Sequence, residues 1–179
     1  MTCKERKGGN RMKKIMLIGS GGSGKSTLAR QLGQRLGIRV HHLDSLLWRA
    51  DWQAVPRAEQ QQIQTDLISR DDWIIDGNYG GTMDIRLNAA DTIIFLDLPR
   101  TTCVYRILKR SIRYRHQARP DMAAGCPEKI DVAFLKWVWR YPDEQRPGIQ
   151  ARLAQVTATK TIVVLKSRKE VRRFIDNIA

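Results

Sequence analysis

The apolar positions of this chain fall into short continuous runs that alternate with stretches of helical spacing. Ile15 to Ile18 form a run that stops at Gly19, and from Lys25 to Leu36 the apolar residues Leu28, Leu32 and Leu36 recur at every fourth position. That is the pattern of a strand, a glycine-rich turn and an amphipathic helix. A second run, Ile38 to Leu43, ends at Asp44, and after Pro56 the segment Arg57 to Ser69 reads as a helix with a polar face and proline near its first turn. Trp73 to Ile75 ending in Asp76, Thr92 to Leu96 ending in Asp97, and Thr161 to Leu165 are β-branched and aromatic runs bounded by turn residues, which predicts buried strands. Strands separated by helices predict an α/β fold with one parallel sheet and right-handed crossovers, whose ligands sit beyond the carboxyl ends of the strands.

Two segments depart from the alternation. Residues 1 to 11 carry Gly8 and Gly9 among charges without apolar periodicity and read as a disordered leader, so the fold is expected to be a single domain over 12–179. Residues 114 to 148 are punctuated by Pro120, Gly125, Pro127, Pro142, Pro147 and Gly148 around an aromatic helix bearing Phe134, Trp137 and Trp139, which predicts a mobile cap or lid.

Composition narrows the class. A chain of 179 residues can bury one good core, and its 42% hydrophobic and 28% charged residues are ordinary for a globular domain. No apolar run approaches the ~18 residues that cross a bilayer, and the polar, basic start does not look like a secretion signal, so a cytoplasmic protein is expected. Cys3, Cys103 and Cys126 include no CxxC pair, which argues against a disulfide framework or a thiolate zinc site. The net charge of +14 favours anionic partners, and its location is informative. Between Asp97 and Asp121 there is no acid, while Arg100, Arg106, Lys109, Arg110, Arg113, Arg115 and Arg119 accumulate. A second basic group runs from Lys160 to Arg173.

Candidate chemistry begins at Gly19, Ser20, Gly21, Gly22, Ser23, Gly24, Lys25, Ser26 and Thr27, which match GxxxxGK[ST] directly after a strand and before a helix. Such a loop turns main-chain amides toward phosphate oxygens, the helix terminus adds a favourable dipole, Lys25 reaches the β and γ phosphates, and the Ser26 hydroxyl can ligate magnesium. The expected ligands are therefore ATP, or a similar nucleoside triphosphate, and Mg2+. A carboxylate at a neighbouring strand end should complete the metal site. Asp76 is favoured because Gly77, Asn78 and Tyr79 permit close approach of a ligand; Asp97, before Leu98 and Pro99, is the competitor. Asp44 is placed either to bind an acceptor and take its hydroxyl proton or simply to cap a helix. Trp48, Trp52, Tyr79, Trp137 and Trp139 offer a stacking surface for a flat acceptor or ordinary packing.

The segments KKIMLIGSGGSGKSTLARQL, HLDSLLW, WIIDGNYGGTMDIRL, ADTIIFLDLPR, RPDMAAGCPEKID, FLKWVWRYP and LKSRKEV together resemble the adenylate-kinase-like group of P-loop kinases, and more closely the FlaR-type DNA topology modulation proteins. The resemblance runs from Met12 to the C-terminus. It implies a three-layer P-loop NTPase fold with a five-stranded parallel sheet, an ATP-binding loop and a helical lid. It also implies a Walker B carboxylate at Asp76, phosphate-contacting arginines at Arg106 and Arg110 with Arg119 on the lid side, and an adenine-contacting loop at Lys166, Ser167 and Arg168. The chain departs from adenylate kinases in lacking a four-cysteine lid and in carrying HLD and DGNY where those enzymes have AMP-site motifs, so AMP is not the expected acceptor.

The expected function is a small kinase acting on an unidentified small molecule held near Asp44, Asp76, Asn78 and Tyr79, because phosphoryl transfer needs charge screening and exclusion of water, which a basic lid provides. The rival is an ATPase that binds DNA and modulates its topology, although no zinc-finger, basic-zipper or RNP signature is present. A GTPase is disfavoured by the absence of an NKxD motif.

Overall fold

A computed structural model describes residues 12–115, 119–128 and 130–178. The expected leader at 1–11 lies outside the described residues. Five strands, β1 (Lys14–Gly19), β2 (Val40–His42), β5 (Trp73–Asp76), β6 (Thr92–Leu96) and β7 (Thr161–Leu165), form one sheet in the order β2-β5-β1-β6-β7, every pairing parallel. This is the predicted α/β architecture. The predicted second strand is cut at both ends: Gly37 closes the preceding helix in a left-handed conformation, and Leu43 already opens the short helix α2 (Leu43–Leu46).

The sheet is buried on both faces, and alternation along each strand sends its residues to opposite sides. Ile15, Leu17, Ile74, Ile94 and Leu96 face one layer, built from α1 (Lys25–Leu36), α5 (Arg100–Arg113), α6 (Val132–Glu144) and α8 (Arg168–Asp176). Met16, Ile18, Trp73, Ile75, Ile93 and Phe95 face the other, where α3 (Arg57–Ile68), α4 (Met83–Ala89) and α7 (Arg146–Val156) pack. Helix, sheet and helix make the three layers. A two-stranded hairpin, β3 (Trp48–Arg49) with β4 (Gln53–Ala54), projects beyond the end of β2.

The stretch expected as a lid over 114–148 divides in two. Residues 119–128 are irregular apart from a single bridge between Arg115 and Glu128. Beyond them, α6 is capped by Asp131, whose carboxylate accepts from the amides of Ala133 and Phe134, and it buries Val138 and Tyr141 against the sheet. Pro142 and Pro147, read from sequence as punctuation, lie inside α6 and in the first turn of α7 respectively. Burial of Val138, Tyr141 and Ile149 favours helix here despite the amide hydrogen that Pro142 lacks. Among the described residues no helix is long and apolar enough to cross a membrane.

Phe95 is 1% exposed, in the middle of the sheet. Phe95→Ala should lower the unfolding free energy by about 3–5 kcal/mol, the range for emptying a buried aromatic site; urea denaturation followed by far-UV circular dichroism measures it.

Candidate active site

The phosphate loop is built by the end of β1 and the start of α1. Gly24, at φ +99, caps α1 and leaves the first amides of the helix without a side-chain partner, which suits them to an anion. Gly22 has φ +73, and a Cβ there would lie 2.3 Å from the Cys103 carbonyl, so α5 is packed against the loop as closely as glycine permits. Lys25 folds back and donates from Nζ to the carbonyls of Gly19 at 2.8 Å and Ser20 at 2.9 Å. Burial pushes its pKa below the usual lysine value, with Asp76 and Asp44 acting in the opposite direction. From α5, Arg106 donates to the Ser23 carbonyl at 2.8 Å and, less closely, to Gly22 at 3.4 Å.

Beside this loop runs the end of β5. Asp76 is 4% exposed; one carboxylate oxygen lies 2.9 Å from His42 Nδ1, and the other is buried with no hydrogen-bond partner. A divalent ion bound between the loop and β5 would supply what that second oxygen lacks, so Asp76 fits the metal role together with Ser26. Asp97 does not share this position. It faces Arg146 at 3.6 Å and lines neither of the clefts described below.

After Asp76 the chain is fixed by main-chain ties. Asn78 Oδ1 accepts from the Gly19 amide at 3.0 Å, joining this turn to the phosphate loop. Arg86, wholly buried on α4, donates to the carbonyls of Gly77 at 2.6 Å and Asn78 at 2.7 Å. Burial lowers the Arg86 pKa to about 10, with Asp76 and Tyr79 opposing the shift. Neither His42 nor Arg86 was singled out from sequence; the spacing of DGN and MDIR along the chain was the available signal, and it carries no geometry by itself. Tyr79 adopts a left-handed conformation at φ 38, and its hydroxyl donates to Asp44 Oδ1 at 2.8 Å. Asp44 is not a cap: His42 occupies the capping position of α2, and Asp44 sits in its first turn. Burial holds the Asp44 carboxyl above the usual range, the Tyr79 hydrogen bond opposes this, and nearby Asp76 adds to it.

Two of the three arginines expected at the phosphates, Arg110 and Arg119, have carboxylate partners that the sequence reading missed. Arg110 Nε donates to Glu128 Oε1 at 2.9 Å, and Arg119 Nε lies 2.7 Å from Glu128 Oε2. Arg119 also donates to Asp121 at 3.3 Å. Burial alone would raise the Asp121 pKa, but Arg119 and the Ser26 hydroxyl hold it below the usual value. The same 119–128 segment is clasped to the hairpin. The Asp51 amide donates to the Gly125 carbonyl at 3.0 Å, Cys126 Sγ donates to the Arg49 carbonyl, and Met122, Ala123 and Cys126 pack on Trp48 and Trp52.

Of the expected adenine loop, Ser167 caps α8 by accepting from the Glu170 amide, and the Glu170 carboxylate accepts in turn from the Lys166 amide. Among these three residues only Arg168 lines the large cleft. Trp139 is away from the site, with Arg100 lying over its ring.

Two clefts open at the carboxyl end of the sheet. One, of about 830 Å³, runs along Gly21 to Thr27 between Arg106 and Arg168. The other, of about 510 Å³, lies between the hairpin, Tyr79 and α6. They meet at Gly21, Lys25, Asp44, Arg110, Arg119 and Phe134, which line both.

No protein-family model matches the chain, and no curated protein matches it. Among solved structures, a shikimate kinase from Acinetobacter baumannii in complex with shikimate superposes with a TM-score of 0.54 at 15% identity, covering 93% of this chain and 90% of that one. The chain shares the fold of that protein. The resemblance to the FlaR-type proteins accordingly rests on the quoted motifs.

Within this fold, Arg86 is the element most exposed to test. Arg86→Met leaves two carbonyls of the β5 turn without donors and should reduce stability by about 3–5 kcal/mol, as for breaking a buried charged network. Denaturant titration of the purified variant measures the loss, and Arg86→Lys should recover only part of it.

Proposed function

We propose that this chain is an ATP- and magnesium-dependent phosphotransferase that transfers the γ-phosphoryl group to a hydroxyl of a small molecule. The observation that carries this reading is the meeting of a phosphate-loop cleft with a second, aromatic cleft at Lys25, Asp44, Arg110 and Arg119. A site for hydrolysis alone needs no second cleft of this size. The solved neighbour holds shikimate; a small-molecule acceptor for this chain is part of the proposal.

In this reading the triphosphate lies along the loop amides of Gly21 to Thr27. Lys25 exchanges the carbonyls of Gly19 and Ser20 for the β and γ phosphates, and Arg106 approaches them from α5. Asp76 and Ser26 would hold Mg2+, which would screen the phosphate charge. The acceptor hydroxyl sits against Asp44, whose carboxylate takes the proton as the acceptor oxygen bonds to the γ phosphorus. The bond from that phosphorus to the β–γ bridging oxygen breaks, and its electron pair leaves on ADP. Arg110 and Arg119 flank the transferring group. Asn78 and Tyr79 act by position: one fixes the loop, the other orients Asp44. Arg168 faces the nucleoside end of the large cleft.

DNA-dependent ATPase action is the alternative outcome of the same assay. It would be favoured if duplex DNA, and no small acceptor, accelerated ADP release with a preference over other polyanions.

Lys25→Ala should reduce ADP release by about 10²–10³-fold, the range for removing a donor to developing charge, with the far-UV spectrum unchanged. Full activity in that variant would remove the loop from the mechanism.

The raised Asp44 pKa makes a second test. A protonated carboxyl cannot take the acceptor proton, so the rate should fall as pH drops through a value above 3.8, the ordinary one. Asp44→Asn should abolish that acid limb and lower kcat by about 10²–10⁴-fold. Stability should move the other way. The folded state binds this proton more tightly than the unfolded state, so its contribution is present below 3.8 and lost as pH rises through the raised value. Asp44→Asn should therefore melt above the parent at neutral pH, with the difference shrinking toward acid; calorimetry across pH reads both.

A further inference from the structure

Resting on the phosphotransferase reading, the chemistry of the second cleft narrows its occupant. We infer that the acceptor is an uncharged, planar hydroxyl compound, of the nucleoside or aromatic-alcohol class, and that phosphorylated and cationic acceptors are excluded.

The walls are aromatic. Trp48 and Trp52 come from the hairpin, with ring centroids 5.8 Å apart and planes at 70°, while Phe134 and Trp137 stack on α6 with planes at 14°. Tyr79 completes the lining from the β5 turn. Rings contributed by separate elements favour a flat ligand, because face and edge contacts are made with a planar partner at little entropic expense. The volume of about 510 Å³ suits a molecule of one or two rings.

Charge is decided by pairing. The cations lining this cleft are Lys25, Arg110 and Arg119, and the anions are Asp44, Glu128 and Asp131. Lys25 belongs to the phosphate loop. Arg110 and Arg119 share Glu128, whose side chain is 4% exposed, and Asp131 is committed to capping α6. A monophosphate acceptor would meet no cation that is not already balanced by Glu128 or claimed by the triphosphate, so its own charge would enter the cleft uncompensated. Stranding a buried charge is strongly unfavourable. A cationic acceptor would find Glu128 and Asp131 already engaged and Asp44 already beside Lys25, so its charge too would go uncompensated. An uncharged hydroxyl meets neither obstacle, and Asp44, oriented by Tyr79, accepts from it.

The test uses the full chain with ATP-Mg and measures ADP release, with the phosphorylated product identified by mass spectrometry. The panel contains five nucleosides; benzyl alcohols and hydroxymethylpyridines; the same nucleosides as 5′-monophosphates; choline and amino alcohols; and hexoses. A nucleoside or an aromatic alcohol should raise ADP release at least about tenfold, with the corresponding monophosphate at least about tenfold poorer in kcat/KM, and the two neutral arms tell the sources apart. A monophosphate, an amine or a non-planar sugar as the best acceptor would overturn this inference while leaving the phosphotransferase reading intact. If no compound accelerates ADP release although Lys25→Ala still abolishes basal hydrolysis, the phosphotransferase reading itself fails. Glu128→Gln adds an internal check. Releasing both arginines should shift the ratio of monophosphate to nucleoside kcat/KM by about tenfold toward the monophosphate, and an unchanged ratio in a folded variant overturns the charge argument.

Discussion

In the parallel pairing of β1 with β5, Leu17 lies opposite Asp76, and the geometry of the whole site descends from that register. Two residues beyond Leu17 the chain reaches Gly19 and turns into the phosphate loop, while immediately beyond Asp76 it turns through Gly77 to Tyr79. The two turns therefore leave the sheet side by side, close enough for Asn78 to accept from the Gly19 amide. A slip of one residue would send Asp76 to the opposite face of the strand. The alternation of Trp73 and Ile75 with Ile74, each buried against a different helical layer, prevents that slip. Core packing and the position of the Asp76 carboxylate are thus one constraint. Arg86 then locks the turn from beneath by taking up two carbonyls that the strand no longer pairs.

The second organising feature is how the basic groups around the loop are held. Lys25 is bonded to two loop carbonyls, Arg106 to two more, and Arg110 and Arg119 to one shared carboxylate. Lys25 and Arg106 are thus held at the loop by carbonyls, and Arg110 and Arg119 by a buried carboxylate. In the proposed reading, a triphosphate would take Lys25 and Arg106 over from those carbonyls instead of ordering long side chains from solvent, which would reduce the entropy lost on association. The net charge of +14 gives little hint of this, because near the loop the charge is distributed as pairs.

Much of the frame was legible in the chain itself. Continuous β-branched runs and the four-residue spacing of Leu28, Leu32 and Leu36 are strong signals, since a strand buried on both faces admits few polar residues and a helix against it needs one apolar stripe. What stayed illegible was governed by contacts distant in sequence. The strands of the hairpin have two residues each, too short for any period to register. Asp44 is a favoured capping residue in a favourable place, and only the fold of the HLD segment shows that His42 takes the cap and leaves its carboxylate facing the site. Pro142 reads as a break, yet the burial of Val138 and Tyr141 carries the helix through it. Glu128 is a lone acid in an irregular stretch, and nothing in its spacing announces that it joins two arginines from different segments.

The clasp between the hairpin and the 119–128 segment joins these two features. Arg119 belongs to the same short segment as Met122, Ala123 and Cys126, which pack on Trp48 and Trp52. The roof of the aromatic cleft and one of the arginines at the phosphate loop are therefore parts of one structural unit, tied at the Gly125 carbonyl to the Asp51 amide. Gly125 is at φ +78, and a Cβ there would lie 2.7 Å from the Ala50 Cβ, so the contact is as close as the backbone permits. Any displacement of this segment that admits an acceptor also moves Arg119 relative to Lys25. In the proposed mechanism, the packing that walls the acceptor cleft and the placement of Arg119 are therefore one arrangement, which would favour transfer to a bound hydroxyl over hydrolysis by shutting out water.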